Sequence, residues 1–276
     1  MILEDAIAAI SNSLQQDKRV QSIFLKGSIG RCEQDEFSDI DMYCLVNEED
    51  VEEFNQSRIQ HLASYNKLLF HDDIFIVAPQ ILAVYENLVH VDFFTVTEHT
   101  YIEKDYIKVL YDPYNKLDKF KQKQNLKLSK AEFQDAVDDI AWFLFQYKTS
   151  SARGNELWSV TMLHHVMTHF SRVLLHKYNP NRAQLGMKTI ETSLPIELVS
   201  LTKRIYKNIT PQKHKQAVKL ICEILSTETP WIFNEVANPD KIKPLWERMI
   251  TSLVYYYSPP SPSSIPSPLP SSSESK

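Results

Sequence analysis

Asp39 and Asp41 are the residues from which chemistry is most directly read. They lie two apart in a segment, residues 39–46, that reads as a strand, so both carboxylates emerge on one face. Two carboxylates side by side repel unless a cation lies between them. Magnesium suits such a pair, because it takes oxygen ligands and shares one or two carboxylates with substrate phosphates. A third acid, Asp92, interrupts the apolar run Val89-His90-Val91-Asp92-Phe93-Phe94. An acid in such a run is costly unless it binds a metal or faces a cleft. Upstream lies Leu25-Lys26-Gly27-Ser28-Ile29-Gly30-Arg31-Cys32. Gly27 closes a strand and lets the backbone approach a ligand. Ser28 offers a hydroxyl and an amide at the start of a turn, where amides attract phosphate oxygens. Arg31 can add a charge-assisted contact. The plainer alternative makes Gly27-Ser28 an ordinary strand exit, Ser38 to Asp41 a surface turn and Asp92 an edge-strand acid.

Gly-Ser, a spacer, Asp-x-Asp and a later strand acid together resemble the signature of the polymerase-β-like nucleotidyltransferases. The segments from Gly27 to Val46 and Val77-Ala78-Pro79 look most like the lincosamide and aminoglycoside members. The resemblance covers residues 20–97 well and the rest in outline; many members carry glycine where this chain has Cys32. It implies an α/β fold: a catalytic domain with a small mixed sheet over 1–115, then a helical substrate-binding bundle over 125–257, with the active site between them. It also implies magnesium, two ions, held by Asp39, Asp41 and Asp92. The phosphates of a nucleoside triphosphate would sit at Gly27, Ser28 and Arg31. Asp92 either ligates the metal nearer the acceptor or takes its proton, with Glu156 as the alternative base. The implied reaction moves a nucleoside monophosphate to a hydroxyl of a small molecule, an aminoglycoside or lincosamide drug in the leading case, and releases pyrophosphate. A nucleotidyltransferase acting on nucleic acid or protein, and a non-catalytic nucleotide-binding module, are the alternatives.

The elements that must position these residues are legible in outline. Residues 3–16 show helical spacing in Leu3, Ile7, Ile10 and Leu14. Residues 20–26, 39–46, 80–86 and 89–97 read as strands. Asn47 reads as the cap of an acid-led helix from Glu48. After about residue 112, Lys116, Lys119, Lys121, Lys123, Lys127 and Lys130 punctuate a polar connector, either a solvated linker or a cationic wall facing phosphates. Ser129-x-x-Glu132 reads as a capping box. A second helix over about 153–177 carries Leu157, Val160, Leu163, Met167, Phe170 and Leu174 on one stripe. Pro180, Pro195 and Pro211 punctuate shorter helices, and a last helix covers about 240–257. Residues 258–276 are almost entirely Ser and Pro and read as a disordered tail.

The bulk numbers set outer limits. A chain of 276 residues with 43% hydrophobic and 24% charged residues predicts an ordinary folded protein. Its net charge of -5 argues against a protein that coats nucleic acid. Cys32, Cys44 and Cys222 fit neither a disulfide framework nor a zinc pattern, which predicts a reducing, cytoplasmic setting. No apolar run predicts a signal peptide or a membrane span. Weaker constellations lie in the helical half. His165, His169, Arg172 and His176 share a helix face, and His165-x-x-x-His169 lacks the intervening glutamate of a zinc protease. Arg172-x-x-x-His176 has too short a spacer for an Arg-His ribonuclease toxin. Glu132, Asp135, Asp138, Asp139 and Glu156 could line a site for a cationic drug, or solvate a helix face. Lys188 could reach phosphate but reads by default as solvated.

Overall fold

The computed structural model describes residues 2–121 and 123–256, in two compact units divided at Asn125/Leu126. The Ser/Pro segment 258–276 lies outside the described residues.

The first unit is a six-stranded mixed sheet with helices. In chain order it runs α1 (Ile2–Gln15), β1 (Val20–Leu25), α2 (Gly27–Gly30), β2 (Ile40–Val46), α3 (Val51–Leu62), β3 (Leu68–Phe75), β4 (Pro79–Tyr85), β5 (His90–Val96), β6 (Lys108–Tyr111) and α4 (Asp118–Lys121). The strand order is β3-β4-β5-β2-β1-β6. β2 and β5 are parallel, and every other neighbouring pair is antiparallel. The parallel pairing sets Asp41 directly beside Asp92, and Tyr43 beside Phe94.

Strand alternation gives this sheet two different faces. On one, Ile23, Leu25, Ile40, Met42, Val91 and Phe93 pack with Ala6, Ile10 and Leu14 of α1 and with Phe54 and Leu62 of α3. On the other, Phe24, Leu45, Phe94 and Val96 pack with Tyr101, Leu117 and Phe120, and half-buried Tyr43 joins them. The Phe24–Tyr43 and Tyr43–Phe94 rings stack with centroids 5.3 and 4.3 Å apart.

Several local expectations are revised. Asn47 precedes a 3-10 turn, Glu48–Asp50, but makes no side-chain cap; its amide nitrogen donates to Asp50 and its oxygen accepts from Lys116. The lysine-rich connector is not a free wall. Lys116 and Lys119 pair with Glu98, Lys121 with Asp118 and Lys123 with Glu103.

The second unit is helical: α5 (Lys130–Ala152), α6 (Glu156–Tyr178), a 3-10 stretch over Pro180–Thr189, α7 (Ile190–Ser193), α8 (Ile196–Tyr206), α9 (His214–Glu235) and α10 (Pro239–Tyr256). Ser129 and Glu132 form the complete capping box of α5. α6 begins later than its apolar stripe suggests, because Asn155 caps it through the amide of Trp158, and Leu157 in its first turn is 73% exposed. α9 runs on through Pro230. No helix among the described residues is long and apolar enough to cross a membrane.

Candidate active site

The acids gather at the starts of β2 and β5, on the aromatic face of the sheet. Asp41 and Asp92 share a register position on neighbouring parallel strands, which directs both side chains the same way. Asp39 stands one residue before β2 and His90 opens β5, so alternation aligns them with Asp41 and Asp92. One donor atom from each of Asp39, His90 and Asp92 lies within 4.8 Å of the other two. Asp92 Oδ1 is closed to solvent and accepts no hydrogen bond. His90 Nε2 lies 3.2 Å from it, near enough for attraction but outside hydrogen-bonding alignment.

The Gly-Ser loop lies against this cluster. Its start is tied to β2 by a 3.0 Å bond from the Lys26 amide to the Asp41 carbonyl. Gly27 has φ +61°, and a Cβ placed there would lie 1.9 Å from Asp41 Oδ2. Only glycine leaves room for that carboxylate and accepts that backbone angle without strain. α2 then closes through bonds from Gly30 to Lys26, Arg31 to Gly27 and Glu33 to Ser28. Gly30 is equally confined, since a Cβ would lie 2.5 Å from the Tyr106 carbonyl oxygen. Ser28 Oγ is buried without a hydrogen-bond partner. Buried hydroxyls are ordinarily hydrogen-bonded, to protein or to water, so this one has a donor to spare.

Arg31 is occupied elsewhere. Its guanidinium donates to Asp105 at 2.5 Å and to Glu33 at 3.0 Å, which pins the loop rather than presenting a bare cation. Cys32 follows at φ +59°, a left-handed angle that a Cβ-bearing residue adopts at a cost of about 1 kcal/mol. Lys26 is the cation that adjoins the Gly-Ser loop. Its ammonium donates to the Ile102 carbonyl at 3.1 Å and sits over the Tyr43 and Tyr101 rings, 5.2 and 5.1 Å from their centroids. Burial pulls its pKa down to about 8, with Asp105 and Asp41 opposing that shift.

The weaker constellations of the second unit are held within it. The His165 and His169 rings stack on Phe143, and His169 Nδ1 lies 3.3 Å from Asp139. Burial lowers the His169 and His176 pKa values. Arg172 donates to Gln184 at 3.4 Å. Among the acids, Glu132 caps α5 and Asp138 binds Lys241 at 2.7 Å. Glu156 and Lys188 are exposed. Reading the sequence did not single out Lys26 or His90. The signal for both was alternation: Lys26 continues the Phe24 face of β1, and His90 precedes Asp92 by two.

No family model matches the chain, and no curated protein matches it in sequence. Solved structures that resemble it distantly include the following two. An aminoglycoside 6-adenyltransferase from Bacillus subtilis is 13% identical with a TM-score of 0.38, over 92% of this chain and 98% of the other. A nucleotidyltransferase-like protein from Exiguobacterium sibiricum is 12% identical with a TM-score of 0.40, over 92% of this chain and 77% of the other. Likenesses this distant assign no activity, so the reading of the site rests on its own residues.

Proposed function

We propose that the chain is a divalent-metal-dependent nucleotidyltransferase that moves a nucleoside monophosphate from a triphosphate to a hydroxyl of a small molecule. The observation that carries this reading is the register of Asp41 with Asp92, with Gly27 leaving space for the Asp41 carboxylate.

The donor set fits magnesium, which takes oxygen ligands and shares carboxylates with phosphates. Asp39, Asp41 and Asp92 would hold it, as one ion or two. Asp92 Oδ1, buried and without a hydrogen bond, is an oxygen in want of such a partner. Held by these residues, a divalent cation would supply charge screening for the triphosphate and for the leaving pyrophosphate. Gly27 lets the loop approach the phosphates, and Ser28 Oγ donates a hydrogen bond to one of their oxygens. Arg31 fixes the loop through Asp105 and Glu33. The acceptor oxygen bonds to the α-phosphorus as the bond to the bridging oxygen breaks, and pyrophosphate leaves. Asp92, a metal ligand in this reading, would also be the residue that takes the hydroxyl proton.

The acceptor is a small hydroxylated molecule, and a cationic aminoglycoside or a lincosamide is the first choice. A net charge of -5 favours a cation over a polyanion. The test is mass spectrometry of an aminoglycoside and lincosamide panel incubated with the full chain, magnesium and each triphosphate in turn. A mass gain of one nucleoside monophosphate, absent in Asp41→Asn, supports the reading. Nucleotide transfer to RNA or protein alone overturns the small-molecule acceptor, and no transfer to any substrate overturns the enzyme.

A further inference from the structure

The imidazole of His90 changes what the acid cluster can bind. Residues 90 and 92 share a face of β5 because a strand repeats every two residues. His90 Nε2 lies 3.2 Å from Asp92 Oδ1, yet no hydrogen bond joins them. Two donors in neighbouring positions around a six-coordinate ion at about 2.1 Å would lie about 3 Å apart. Asp39 contributes the third donor within 4.8 Å of the other two. Donors sharing one such ion lie at most about 4.2 Å apart. The His90 side chain is 39% exposed, so its ring is not locked in the core.

We propose that His90 is a metal ligand, so that Asp39, His90 and Asp92 form a mixed carboxylate–imidazole site selecting a first-row transition dication over Mg2+. The inference rests on the reading that these carboxylates hold a divalent cation, and adds which cation. Magnesium gains little from a nitrogen donor and sheds water reluctantly. Ions such as Co2+ bind imidazole well, and their affinity in mixed nitrogen and oxygen sites follows the ordinary transition series. An ordinary His–Asp ion pair is the competing account. It leaves Co2+ and Mg2+ binding equally indifferent to the ring.

The test is calorimetric titration of the full-length chain, without nucleotide, by Co2+ and by Mg2+. Wild type, His90→Ala, His90→Gln, Asp39→Asn and Asp92→Asn are compared. The chain has nine histidines, so the difference between variants is the readout, not total cobalt bound. Replacing a residue that merely orients a ligand weakens metal binding about 10–100-fold, so loss of a ligand should cost at least about tenfold. Both His90 variants should therefore weaken Co2+ at least tenfold and leave Mg2+ within about twofold. In wild type, Co2+ should also shift the His90 ring signals in proton NMR, a readout that does not depend on a variant folding. Unchanged Co2+ affinity in His90→Gln, or unshifted ring signals, overturns the proposal. If Asp39→Asn and Asp92→Asn also bind both ions like wild type, the carboxylate site itself falls, which is a separate result.

Discussion

The two faces of the sheet are built from alternate residues of the same strands and serve different ends. On the helix-covered face, Ile23, Leu25, Ile40, Met42, Val91 and Phe93 are fully closed to solvent. On the other, the stacked rings of Phe24, Tyr43 and Phe94 give way, at the end of β1 and the starts of β2 and β5, to Lys26, Asp41, His90 and Asp92. Slipping β2 against β5 by one residue would reverse every side chain. The apolar face therefore enforces the register, and the register brings Asp41 beside Asp92. Each face can be broken without the other, which makes the division testable.

The largest effect should come from the polar face. Asp41→Asn is expected to lower nucleotide transfer on the order of 10^3–10^5-fold while leaving the thermal midpoint nearly unchanged. Pyrophosphate release and a melting curve measure the two, and wild-type turnover in this variant would end the proposed mechanism. Phe93→Ala, on the neighbouring strand β5 one position after Asp92 and on the apolar face, should do the reverse. Phe93→Ala should cost about 3–5 kcal/mol in urea unfolding, with turnover per folded molecule within a few-fold of wild type. Equal losses of activity and stability in both variants would erase the distinction between the faces.

Gly27→Ala should touch both properties at once. Its Cβ would collide with Asp41 Oδ2 and its φ would stay at +61°. We expect about 1–2 kcal/mol of destabilisation from the angle and, from displacement of the carboxylate, about a hundredfold loss of turnover.

The smallest effect concerns the helix layer on the apolar side. Asp17 accepts hydrogen bonds from Arg19 at 2.9 and 2.6 Å, and His61 Nε2 lies 3.2 Å away. The Arg19 bonds, chief among the causes, hold its pKa at about 2 against burial. Because the folded value lies below the unfolded one, this stabilisation is complete above about pH 4 and fades as pH falls toward 2. Asp17→Asn should cost about 1–2 kcal/mol at neutral pH and flatten the loss of stability between pH 4 and 2. A parallel acid limb in the variant would remove Asp17 from the account.

What was legible in the sequence was what local geometry encodes. The capping box of α5 needs only Ser129 and Glu132, four residues of one chain segment. The central strands announced themselves by β-branched and aromatic runs. The edge strands did not. β3, Leu68–Phe75, leaves most of its side chains exposed, so no apolar alternation marks it, and pairing with β4 defines it. β6 is only four residues long and exists by its bonds to β1. Leu157 fits the stripe of α6 by spacing but lies in its first turn, 73% exposed. Pro230 is a local stop signal, yet α9 continues through it while Glu228 is anchored by Lys177 and Tyr178.

The sequence alone determined the kind of chemistry on offer: a glycine before Ser28, and carboxylates at 39 and 41 that a strand must turn to one side. That follows from the two-residue period of the backbone, which needs no distant partner. The tertiary structure decided which groups join them. Asp92 and His90 reach Asp39 and Asp41 only because β5 lies parallel to β2, and Arg31 is drawn to Asp105 from beyond the sheet. Those contacts close long loops, so the whole apolar face decides them rather than any run of neighbouring residues.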